Sequence, residues 1–263
     1  MKIDSAQVKE DMSQCIVIFK NIILETGDEW GNVDYNVVCF ALRTVIESFE
    51  NVGYNQDAMK PVIVMHSKPG MDCPMCCGNG EQDVIFLHTQ NNFWSQYIYQ
   101  FSHEYCHHVI AGPLDGSLVS SFWFEESICE LASCYFMEKV VEIWMNSPDT
   151  PQNLKLFVPS QLKYFCDHLR DIPDITVPLN EWLLSNLGIL QDPKYHRDLY
   201  QIIAKSLFGL FKEHPRLWLL LPYFKRVAPE EYISFDNWLK NVVGPKVPDN
   251  LSNEYKILIN TLI

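Results

Sequence analysis

The chain has 263 residues, a net charge of −13 and 48% hydrophobic residues. That length and apolar content are enough to bury a sizeable core, and they exclude a disordered or fibrous chain. The acidic balance, with no run of Lys or Arg, excludes the basic footprint of a nucleic-acid binder and argues against an anionic membrane surface as partner.

Met1–Glu10 is polar and lacks the apolar centre of an export signal. Cys15–Leu24 is apolar but is interrupted by Lys20 and Asn21, and it is too short to span a bilayer. The nine cysteines are an odd number scattered along the chain, which reads as reduced thiols and a cytoplasmic protein.

Gln14–Leu24, rich in Ile and Val, reads as a strand or the start of a helix. Asp34–Phe49 places Val37, Val38, Ala41, Leu42, Val45, Ile46 and Phe49 on one helical face. Pro61–Met65 and Asp83–His88 read as strands, and Lys68–Gln82, with its Pro, Gly, Cys and Asn, as the loop between them. Asn92–Ala111 predicts a helix, capped by Asn91 or Asn92 and stopped by Gly112-Pro113. Leu114–Ser120 reads as a turn-rich connection, and Ser121–Met145 as a second helix capped by Ser120 or Ser121.

Beyond Pro148 prolines recur, and apolar-periodic stretches such as Leu199–Phe211, Leu217–Phe224 and Tyr232–Val243 lie between them. This predicts short helices separated by prolines. The expected fold is α+β and mostly helical. Residues 1–147 form a core of a small mixed sheet and a pair of long helices, and residues 148–263 form an all-helical lobe packed on it.

Residues 103–107 read His103-Glu104-Tyr105-Cys106-His107. On a helix, positions i and i+4 share a face, so two imidazoles can point at one metal ion. Phe93, Trp94, Tyr97, Ile98, Phe101, Tyr105, Val109 and Ile110 keep helical spacing around the motif. A catalytic zinc takes three protein ligands and keeps a fourth position open. Trp123-Phe124-Glu125-Glu126-Ser127 follows at the start of the next predicted helix, with 18 residues between His107 and Glu126.

The H-E-x-x-H-x18-E pattern over residues 83–137 resembles the gluzincin clan of zinc metallopeptidases, which includes thermolysin-like and aminopeptidase-like enzymes. Trp123 and Glu126 match the W-x-x-E context of the aminopeptidase branch, although Glu125 stands where that branch often has Asn. The exopeptidase G-x-M-E-N motif of that branch is absent. The resemblance implies one Zn2+ held by His103, His107 and Glu126, with Glu104 activating a water to hydrolyse a peptide or protein substrate. It implies a carboxylate at Glu130 that orients a ligand histidine, a feature that favours Glu126 over Glu125 as ligand, because Cys129 stands four residues after Glu125. It also implies an oxyanion donor further along the chain, for which Tyr195, His196, Tyr164 and His168 all stay open. Finally, Asp83–His88 should be the strand along the cleft, with a free edge for substrate.

Blander readings stand beside these. Glu126 can be an exposed helix-start carboxylate that suits the macrodipole, and Glu130 can belong to a solvated face. His108 points away from the His103–His107 face. Cys73, Cys76 and Cys77, with His66 or His88, lack the spacing of a second metal site and read as reduced loop thiols. A catalytically inactive zincin-like binding protein is the alternative to a peptidase, and a hydrolase of non-peptide amides or esters is a third reading. Oligomeric state and substrate specificity leave no mark in the sequence.

Overall fold

A computed structural model of the chain describes residues 14–78, 81–110, 122–192, 194–224 and 234–263. The expectations for Met1–Glu10, Gly112-Pro113, Leu114–Ser120 and the Ser120 or Ser121 cap lie outside the described residues, as does the start of the Tyr232–Val243 stretch. The fold is α+β and mostly helical, with a small mixed N-terminal sheet followed by helices.

Gln14–Leu24 forms a hairpin of β1 (Cys15–Phe19) and β2 (Ile22–Glu25), turned at Lys20, whose φ is 49°. The register slips between Val17 and Phe19, and Arg43 Nε donates to the displaced Ile18 carbonyl at 2.9 Å, so the irregularity keeps a hydrogen-bond partner. The chain then rises into α1 (Tyr35–Asn51), where Asp34 Oδ1 accepts the Asn36 N–H. The apolar face read from the sequence is the buried face of α1.

Next come β3 (Val62–His66), β4 (Met75–Gly78) and β5 (Asp83–Leu87). The sheet order is β1-β2-β3-β5-β4, with β2, β3 and β5 parallel to their neighbours among themselves and β4 antiparallel to β5. Two expectations are corrected here. Lys68–Gln82 is not all loop, because its last part pairs as β4, and a four-residue edge strand leaves no periodicity to read. The cleft-side edge of the sheet is therefore β4, and β5 lies inside between β3 and β4. Gly78 sits on the rung with Asp83, where a Cβ would come within 2.1 Å of Asp83 Oδ1 and push that carboxylate aside.

Two long helices fill the centre, α2 (Trp94–Ile110) and α3 (Phe122–Asn146). α2 begins two residues later than expected, and Asn91 instead accepts the Asn32 N–H on its side-chain oxygen at 2.9 Å. Nearly every residue of α2 and of the first half of α3 is buried, many polar side chains included.

Around them pack α4 (Gln152–Asp171), α5 (Leu179–Leu190) and α6 (Arg197–Glu213), then a 3-10 stretch (Pro215–Tyr223), the turn α7 (Phe235–Asn237), a π-helical stretch (Trp238–Val243) and α8 (Ser252–Leu262). The reading of prolines as separators fails at Pro159, which lies inside the continuous α4. A proline there removes one i to i−4 bond, but Leu154, Val158, Gln161 and Phe165 are buried on both sides of it and hold the helix in line.

One hydrophobic cluster runs from Ile18 to Leu262, so the C-terminal helices share the core of the N-terminal half. Its aromatic centre is Phe49, whose ring lies 3.9 Å from Phe136, 4.9 Å from Tyr105 and 6.2 Å from Trp218, centre to centre. Four parts of the chain meet at this one ring. Phe49→Ala should cost about 3–5 kcal/mol in denaturant unfolding. Leu184→Ala, at a residue 78% exposed on α5, should change stability by less than about 0.5 kcal/mol. A loss below about 1 kcal/mol at Phe49 would contradict its place at the centre of the core.

Candidate metal centre

The H-E-x-x-H motif lies on α2 with its two imidazoles one turn apart, ring centres 5.1 Å from each other. The first turn of α3 brings Glu126 across from them. Glu126 Oε2 is 3.4 Å from His103 Nε2, and Oε1 is 3.5 Å from His107 Nε2. These spacings are long for hydrogen bonds. Each is close to the separation of about 3.3–3.4 Å between two donors on ligand bonds of about 2.0–2.1 Å, with a different carboxylate oxygen facing each ring.

His107 Nδ1 lies 2.8 Å from Glu125 Oε1, and donation to that carboxylate leaves the Nε2 lone pair facing Glu126. The pairing expected between Glu130 and a ligand histidine is thus made by Glu125. His103 Nδ1 is buried without a hydrogen-bond partner among the described residues. Glu126 thus faces both imidazoles, one carboxylate oxygen toward each ring.

Cys129 is also near, with one donor atom from each of His103, His107 and Cys129 lying within 4.8 Å of the others. Its thiol is fully buried beside Cys106, and burial pushes it well above the usual range.

The electrostatics are those of a charged cluster held away from water. Burial alone pushes the His103 and His107 rings down, but the facing carboxylates outweigh it and lift both to about 9. Burial pushes Glu126 up, yet His107, His103 and the Tyr195 hydroxyl pull it down to about 2. Glu104 is raised, since its burial exceeds the pull of His103 and His107. The Cys76 backbone N–H donates to the Glu104 carboxylate and fixes it beneath β4.

These groups open into a cavity of about 510 Å3, roofed by Cys73, Pro74, Met75 and Cys76. Of the four candidate oxyanion donors, the structure brings only Tyr195 into that cavity. Its hydroxyl donates to Glu126 Oε2 at 3.2 Å, while its ring rests on Phe122 and Tyr200. Burial and the nearby Glu126 push the phenol up, so it stays protonated and able to donate. His196 flanks the start of α6, Tyr164 accepts a hydrogen bond from Gln96, and His168 packs on the Tyr99 ring.

Glu130 is fully buried one turn beyond Glu126 and holds two partners unseen in the sequence. Arg197 Nε donates to its Oε1 at 2.7 Å, and the Tyr99 hydroxyl donates to its Oε2. Arg197 Nη2 donates in turn to the Tyr99 hydroxyl at 2.8 Å. No motif surrounds Arg197, and a buried acid on α3 lacking a basic neighbour in sequence was the one available sign of it.

His108 pairs with Asp83 at 2.6 Å, away from the cluster, as its helical position predicts. Cys39, Cys73, Cys76, Cys77, Cys106, Cys129, Cys134 and Cys166 are free thiols. Among the described residues, Cys73, Cys76 and Cys77 form no three-donor group with His66 or His88.

Comparisons with protein-family models, with curated proteins and with solved structures each found no match.

Two measurements follow from this geometry. Protons compete with a metal ion for both imidazoles up to about pH 9. The apparent affinity for Zn2+, set against a chelator of known strength, should therefore rise from about pH 7 to about pH 9 and then level off. A flat profile would contradict the raised rings. Glu125→Gln should weaken Zn2+ binding about 10–100-fold, the range for loss of a carboxylate that orients a ligand histidine.

Proposed function

We propose that the chain is a zinc-dependent peptidase of the gluzincin type. The observation that carries this reading is the spacing of the Glu126 oxygens from the two Nε2 atoms, at 3.4 and 3.5 Å, with Glu104 buried in the same cavity.

When bound by His103, His107 and Glu126, a zinc ion would supply Lewis-acid polarisation of a carbonyl and a water acidic enough to attack near neutral pH. Glu104 sits between the two histidines in sequence and cannot share their donor set, but its carboxylate faces the cavity. It takes the proton from the attacking water and returns it to the leaving amine nitrogen. Its raised pKa suits both halves of that transfer. The Tyr195 hydroxyl donates to the scissile carbonyl oxygen as negative charge grows there. A peptide or unfolded segment lies along the outer edge of β4 and adds its backbone to the sheet. The presence of Tyr195 in the cavity favours hydrolysis over a binding-only role.

No helix among the described residues is long and apolar enough to cross a membrane. The free thiols suit a reducing, cytoplasmic setting.

Glu104→Gln should keep one bound zinc and lose about 10²–10⁴-fold in kcat/KM on a peptide pool read by mass spectrometry. Parent-level cleavage by this variant would remove the proposal. Tyr195→Phe should lower kcat by about 10²–10³-fold while retaining the metal.

A further inference from the structure

The cavity has a second polar end, one helical turn along α3 from the proposed metal site. Among the described residues lining it, Arg197 is the only Lys or Arg. Its side chain is 51% exposed, whereas its partner Glu130 is 1% exposed. The pair is neutral in sum but not in direction. The anion lies on the dry side, with its charge spread by the Tyr99 hydroxyl, and the cation faces the cavity.

The guanidinium is also fixed in orientation. Nε and Nη2 donate to Glu130 and Tyr99, and the charged carbon sits 5.6 Å from the Tyr99 ring centre. Neither bond engages Nη1. The Nη1–Nη2 end of the fork therefore presents parallel N–H groups, the geometry that accepts a carboxylate in two hydrogen bonds. Arg197 is thus a clamped guanidinium in the wall of the cavity that also holds Glu104 and Glu126.

We propose that Arg197 is a specificity-determining residue that recognises a carboxylate of the substrate close to the bond cleaved. The inference rests on the peptidase reading and narrows its substrate class to peptides with an acidic group near the scissile bond. Glu126 and Glu130 are four residues apart, about 6 Å along the helix, which corresponds to one or two residues of extended peptide. The carboxylate comes either from the chain's own C-terminus or from an Asp or Glu side chain.

The test uses synthetic decapeptides in matched pairs. One set compares a free C-terminus with its amide. The other keeps the amide and compares Asp with Asn at successive positions. Hydrolysis by the zinc-loaded parent and calorimetric binding to zinc-loaded Glu104→Gln are read separately. In at least one set the acid should be preferred by about tenfold or more, and the set that responds identifies the source.

Arg197→Lys keeps a cation beside Glu130 but loses the fork. It should lose more on acid than on neutral peptides and bring the ratio toward one. Equal response to both members of every pair, in hydrolysis and in binding, overturns the proposal. So does a ratio unmoved in Arg197→Lys. If no peptide is cleaved but binding still separates acid from neutral, the peptidase reading fails and the carboxylate site stands.

Discussion

The structure depends on one constraint: charged groups in the seam between α2 and α3 must satisfy one another, because most of their surface is withdrawn from bulk water. Glu104, Glu125, Glu126 and Glu130 are all buried there, with two imidazoles and one guanidinium against them. Isolated buried carboxylates would cost several kcal/mol each. The seam is therefore organised as pairs, His107 with Glu125 and Arg197 with Glu130, around the Glu126 carboxylate that faces both Nε2 atoms. The facing carboxylates lift both imidazoles to about 9, so the two rings and Arg197 together offset most of that negative charge at neutral pH.

The seam also explains why the C-terminal half is part of the site and not an appendage. α6 packs along α3 and starts beside the cavity, so Tyr195 and Arg197 reach residues that come some seventy positions earlier. The change of character after Pro148 marks a change in composition. The core crosses that point without interruption.

Much of this was legible in the sequence, for definite reasons. Helical periodicity located α1, α2, α3 and α6, and the four-residue spacing of His103 and His107 placed them on one face before any coordinates. The choice of Glu126 over Glu125 came from resemblance, and the geometry gives each a distinct neighbour, Nε2 atoms for Glu126 and Nδ1 for Glu125. What stayed hidden was non-local. β4 is held by pairing with β5 and not by its own residues, and Pro159 is overruled by packing on either side. The role expected of Glu130 went to Glu125, because Arg197 and Tyr99 approach Glu130 from elements far away in the chain.

The brevity of β4 has a consequence for solubility. An outermost strand offers unpaired backbone groups to any neighbouring molecule, and a long flat one is a template for runaway self-association. Here the exposed rim spans only four residues and ends at a glycine, with Cys73-Pro74 immediately before it. Such a rim holds a visiting segment for a few rungs and then has nothing further to bond. The same shortness that would let a bound peptide leave also gives a second copy of the protein few rungs to pair with along this edge.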